Sequence, residues 1–113
     1  MIHLNIGSNL NSIFGNKFEN ISTAINFLIE LNFKVKKTSN FYETPSYPNK
    51  NLPKFLNIGI LGTFDKNYNE LLKIINLIEK KMGRIKSKKN DPRVCDIDII
   101  DFNGNIINFK HLS

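Results

Sequence analysis

The chain has 113 residues, 41% of them hydrophobic, and a formal net charge of +6, which is enough for one domain with its own core and too few for two. No apolar run approaches the roughly 18 residues that cross a bilayer, and "MIHLNIGSNLNSIFG" lacks the basic-then-apolar start of a signal peptide. A single cysteine, Cys95, cannot form an internal disulfide, so a cytoplasmic location is expected.

Taken in chain order, "IHLNI" alternates Ile2, Leu4 and Ile6 with His3 and Asn5, the pattern of a half-buried strand. After the loop "GSNLNSIFGN", Phe18, Ile21, Ile25 and Leu28 recur at helical spacing and predict a helix over 17–31. Asn16 with Glu19 reads as its capping box. "FKVKKTSNFYET" predicts a second strand, bent in the middle, and the proline-rich "PSYPNKNLPK" a loop. "FLNIGILGTF" is a third strand, with Leu56, Ile58 and Ile60 on one side and Phe55, Asn57 and Gly59 on the other. A second helix is expected over 68–82 on the stripe Leu71, Ile74, Ile75, Ile78 and Met82, with Gly83 as the stop. A basic loop, "RIKSKKNDPR", precedes a fourth strand, "VCDIDIIDF", and "GNIINF" can add a short return strand. The order βαββαβ is the split ferredoxin-like pattern of an α+β fold, with two helices on one face of a four-stranded, mainly antiparallel sheet.

The fourth strand carries the chemistry. Ile97 and Ile99 pack under the helices, so Asp96 and Asp98 project side by side from the opposite face. Two adjacent carboxylates repel each other unless solvent, an arginine or a divalent cation relieves them. Mg²⁺ takes one or two carboxylates plus substrate phosphates, and two ions can clamp a polyphosphate. Lys86, Lys88 and Lys89 crowd the same region. Of sixteen basic residues only Arg84 and Arg93 are Arg. In a chain rich in Asn, Ile, Lys and Phe, as AT-rich codons produce, part of the basicity is drift, and a retained Arg marks a need for a planar, two-pronged donor. A D-x-D pair alone is common and usually just faces water; the basic loop, the strand phase and the two arginines are what favour a polyphosphate site. Asp101 falls out of phase and reads as solvated. His3 and His111 form no metal-ligand spacing, Cys95 falls on the buried face, and Phe55 and Asn57 taken singly are near background for recognising a flat heterocycle.

"GSNL" (7–10), "FYETPS" (41–46), "FLN" (55–57), "IEKKMGR" (78–84) and "DPRVCDIDII" (91–100) occur in this order. Together they resemble the hydroxymethyl-dihydropterin pyrophosphokinase family of folate biosynthesis, over the whole chain. The resemblance implies a ferredoxin-like fold and transfer of the β,γ-pyrophosphoryl group of ATP to the hydroxymethyl of a reduced pterin, leaving AMP. By position it makes Asp96 and Asp98 the ligands of two Mg²⁺ ions, Arg93 and Arg84 phosphate-side arginines, and Glu79 an ATP-side acid. It puts Thr44 and Pro45 in the pterin pocket, with Phe55 stacking on the ring and Asn57 reading its edge. It implies a monomer in the cytoplasm, with ATP and pterin as partners and neither nucleic acid nor membrane. The family commonly continues past this point through a Pro-His-Pro motif, so 1–113 is expected to be a single domain without that tail. Asn90 stands where an aromatic is common and Asp91 where Gly is frequent.

Two other readings share the element order. A single-stranded RNA-binding module suits the charge, but "FLNIGILGTF" lacks the aromatic motif such a strand carries, and Asp96 and Asp98 would repel a phosphate backbone. An inactive remnant of the kinase, binding ATP or pterin weakly, is the other.

Overall fold

The computed structural model describes residues 1–46, 51–83 and 92–107. Arg84, Lys86, Lys88, Lys89, Asn90, Asp91 and His111 lie outside the described residues. The elements run β1 (Ile2–Ser8), α1 (Lys17–Glu30), β2 (Lys34–Thr38), β3 (Tyr42–Thr44), β4 (Phe55–Thr63), α2 (Tyr68–Lys81), β5 (Asp96–Phe102) and β6 (Asn105–Ile106).

β1 lies between β4 and β5, β2 and β3 both run along the far side of β4, and β6 extends β5. Each of these pairings is antiparallel. The expected second strand is therefore split in two, which is the bend in its middle, and the expected return strand is β6. With β2 and β3 counted as one, the order is the ferredoxin-like one, with the strands of each βαβ unit separated by a third.

The core lies between the sheet and the helices. Leu4 stands opposite Ile60 and Ile99, and Ile6 opposite Ile58 and Ile97. These rungs join Ile21, Ala24 and Leu28 of α1 and Leu71, Ile75 and Ile78 of α2 in one buried cluster. α1 starts where expected, because Asn16 Oδ1 accepts the Glu19 N–H and Glu19 Oε1 accepts the Asn16 N–H. Asn67 Oδ1 likewise accepts the Glu70 N–H at the start of α2, and Gly83, at φ +98°, ends it.

Two side chains depart from the pattern. Phe18 does not join the helical stripe; it is 52% exposed and packs on Phe41 with ring centroids 4.9 Å apart. The register between β1 and β5 slips between His3 and Leu4, so His3 faces Asp101 while Leu4 faces Ile99. Such a bulge reverses the alternation. It buries Ile99 and Ile100 in succession and returns Asp101 to the face of the Asp pair. Asp101 Oδ1 accepts the Gly104 N–H at 2.7 Å, closing the turn into β6 rather than simply facing water.

Candidate active site

Register assembles the site on the sheet face turned away from the helices. One rung reads Asn57–Gly7–Asp96, and the next Gly59–Asn5–Asp98. Tyr42 stands opposite Asn57 on the other side of β4, and Thr44 opposite Phe55. Asp96, Asp98, Asn57, Phe55 and Thr44 are thus brought together on one surface by three strands. Pro45 follows Thr44 as an exposed residue at the same corner.

The acidic half holds an ion pair. Arg93 Nη1 lies 3.3 Å from Asp96 Oδ1, with both side chains largely buried. Of the three ways to relieve the carboxylate pair, an arginine already serves Asp96. Among the described residues no three His, Cys, Asp or Glu side chains converge as a metal cage. The donors present are two hard carboxylates on an accessible face, the set that suits Mg²⁺ sharing its sphere with phosphate and water. Glu79 sits apart from them. It is buried on α2, and its Oε2 accepts the Ile97 N–H at 2.8 Å, satisfying a main-chain donor of β5 on the helix side.

The amide half is a relay not expected from the sequence. Tyr42 donates its hydroxyl to Asn5 Oδ1. Asn5 Nδ2 donates to Asn57 Oδ1 at 3.3 Å, and Asn57 Nδ2 donates to Thr44 Oγ1 at 2.9 Å. Asn5 and Asn57 are both buried, so each amide has its orientation fixed by its neighbours. Burial pushes the Tyr42 phenol above its usual pKa, although the residue as a whole is 43% exposed. Gly7 keeps the floor between the halves low: a Cβ there would lie 2.8 Å from Asn57 Oδ1 and 3.4 Å from Phe55 Cδ1.

Asn9 stands outside the site residues that the sequence predicts. It is buried, Nδ2 donates to Ser46 Oγ at 3.1 Å and to Pro53 O at 3.2 Å, and Oδ1 accepts the Arg93 N–H at 2.6 Å. The sequence signal for Asn5 is its place with His3 on the side of β1 opposite Ile2, Leu4 and Ile6. For Asn9 it is membership of "GSNL".

The family model described as 7,8-dihydro-6-hydroxymethylpterin-pyrophosphokinase (HPPK) matches residues 3–112. The chain is 38% identical over 107 residues to the folic acid synthesis protein FOL1 of Dictyostelium discoideum, covering 95% of this chain and 16% of that protein. It is 32% identical over 111 residues to the 2-amino-4-hydroxy-6-hydroxymethyldihydropteridine pyrophosphokinase of Aquifex aeolicus, covering 98% of this chain and 66% of that one. The enzyme of the same name from Bacillus subtilis is 33% identical over 78 residues, 69% of this chain and 47% of its own length. The chain spans well under a fifth of the Dictyostelium protein and about two thirds of the Aquifex one. On a match that runs through nearly every element described above, the chain belongs to the 7,8-dihydro-6-hydroxymethylpterin-pyrophosphokinase family.

Proposed function

We propose that this chain transfers pyrophosphate from ATP to the hydroxymethyl group of 6-hydroxymethyl-7,8-dihydropterin, giving AMP and the pterin diphosphate. The supporting observation is the pairing of two chemically unlike half-sites on one sheet face. The carboxylates of β5 and the amide of Asn57 are two strands apart, about 10 Å at the usual strand spacing. A pterin held on the amide side therefore has its substituent beside a polyphosphate held on the acidic side. Gly7, between them, leaves the path clear.

In this reading Phe55 stacks on the pterin, and Asn57 and the main chain near Thr44 and Pro45 read its edge. Asn57 Nδ2 donates to Thr44 Oγ1 and to the main-chain carbonyls of Tyr42 and Phe55, so the second lone pair of Oδ1 is what it offers, which selects a ring N–H or amino donor. Asp96 and Asp98 would hold two Mg²⁺ ions, which when bound would supply charge neutralisation on the polyphosphate. Arg93 would leave Asp96 for a phosphate, exchanging one anionic partner for another. Arg84 is assigned the same role on the resemblance alone. The pterin oxygen bonds to the β-phosphorus, the bond from that phosphorus to the α–β bridging oxygen breaks, AMP leaves, and the hydroxyl proton passes to solvent. Glu79, in this account, serves the nucleotide side by fixing the main chain at Ile97. Both half-sites lie on one sheet of one chain, which supports the monomer as the active unit.

The test is AMP formation from ATP, with and without the reduced pterin. Asp98→Ala is expected to lower pterin-dependent AMP formation by at least ~10³-fold with an unchanged circular dichroism spectrum. Wild-type turnover in that variant would remove the metal role. A wild-type chain forming no pterin-dependent AMP in the presence of Mg²⁺ would overturn the function.

A further inference from the structure

We infer that Asn9 is a positioning residue for both substrates at once, through opposite ends of one amide. This rests on the function proposed above. Asn9 is 2% exposed and follows β1, the central strand of the sheet. Its Nδ2 holds Ser46 Oγ and Pro53 O. Those two residues flank the proline-rich segment that continues directly from Thr44 and Pro45, and Ser46 Oγ also donates to Pro53 O. The amide therefore ties together both ends of the segment next to the proposed pterin pocket. Its Oδ1 accepts the Arg93 N–H, and the Asn9 N–H donates to Arg93 O at 3.0 Å. This pair of bonds fixes the main chain of the arginine that reaches Asp96.

The two ends are chemically distinct. The Nδ2 end serves the pterin side through a donor, and the Oδ1 end serves the phosphate side through an acceptor. No aliphatic residue of similar size supplies both. Asp supplies only acceptors and would bring a buried charge to the polyphosphate site. A residue with only a packing role would alter the folded fraction and leave the affinity of the folded molecules unchanged. A positioning residue alters the affinities themselves.

The experiment measures Mg²⁺-loaded α,β-methylene ATP and 6-hydroxymethylpterin separately by calorimetry, on wild type, Asn9→Ala, Ser46→Ala and the double variant. Hydrogen exchange at residues 51–54 and 92–95 is followed in parallel. Asn9→Ala is expected to weaken both ligands about tenfold, the scale of a lost buried hydrogen bond, and to speed exchange in both segments. Ser46→Ala is expected to weaken only the pterin and to speed only 51–54. In the Ser46→Ala background, Asn9→Ala keeps its whole effect on the nucleotide and loses much of its effect on the pterin, because contacts in one network are not additive. Asn9→Ala with both affinities at wild-type values overturns the inference, and so does a Ser46→Ala variant that weakens both ligands equally. A wild-type chain that binds neither probe overturns the proposed function and, with it, the substrate role of Asn9. Exchange unchanged in both segments of Asn9→Ala overturns the clamp itself, whatever the wild type binds.

Discussion

Gly7 has Asn57 on one side and Asp96 on the other, but an added Cβ would meet only the Asn57 side, so the smallest possible substitution tests that half of the site alone. Gly7→Ala places a methyl 2.8 Å from Asn57 Oδ1, closer than such a contact tolerates, and Asn57 is held by Asn5, Thr44 and main-chain carbonyls. The amide must turn or the strand must shift. Overpacking of this kind costs about 1–3 kcal/mol, and the expected result is a pterin KM raised about tenfold with the nucleotide Kd unchanged. Tyr42 gives a prediction of another kind. Burial raises its phenol pKa, so above the usual value of about 10 the unfolded chain has lost a proton that the folded chain still binds. This contribution to stability is complete below about pH 10 and declines as pH rises through the folded pKa. An ultraviolet titration should show one tyrosine ionising late, and Tyr42→Phe should abolish that late step. The Asp pair was legible at this scale because a strand's period of two needs only the neighbours of Asp96 and Asp98. The Tyr42–Asn5 bond joins residues 37 apart, and the Asn9–Arg93 bond residues 84 apart; no local pattern encodes either.

Among elements, α2 and β5 are joined at one polar point. Glu79 lies on the buried side of an otherwise apolar helix face, a position that is costly for a carboxylate without a partner. Its Oε2 meets the Ile97 N–H, and among the described residues β6 pairs with β5 only at Asp101 and Phe102. The helix thereby supplies the acceptor that a longer neighbouring strand would have offered. Glu79→Ala orphans that N–H and should lower the unfolding free energy by about 1–3 kcal/mol. Glu79→Gln keeps a carbonyl oxygen there and should lose less than half as much in denaturant titration. Equal losses would mean that the charge, rather than the acceptor, is what β5 requires. Helix starts were legible because caps are local, Asn16 with Glu19 above all. The phase of Asp101 was not. A bulge depends on the partner strand, and the one opposite His3 and Leu4 reverses every side chain that follows. Phe18 sits on the correct helical period, but at the first turn of α1, where it stays half exposed with Phe41 as its neighbour.

Across the whole molecule, the sheet separates stability from chemistry. Its helix side carries the apolar cluster, and its other side carries the carboxylates, the amides and Gly7. A metal bound on that second side is not part of the core, so removing it should not unfold the chain. EDTA is expected to abolish pterin-dependent AMP formation and leave the thermal midpoint of the ligand-free protein where it was. Magnesium-loaded α,β-methylene ATP should raise that midpoint, because a ligand at 100 times its Kd adds about 2.7 kcal/mol. For a domain near 100 residues that is a shift of roughly 10 °C. Asp98→Ala should abolish the shift while keeping the ligand-free midpoint. Leu28→Ala, deep under the sheet, should do the reverse: a midpoint lowered by a loss of about 2–5 kcal/mol and a nucleotide shift of undiminished size. If EDTA alone lowers the midpoint, or the analogue stabilises equally without magnesium, the two faces are not independent and the carboxylates of β5 are structural rather than metal-binding.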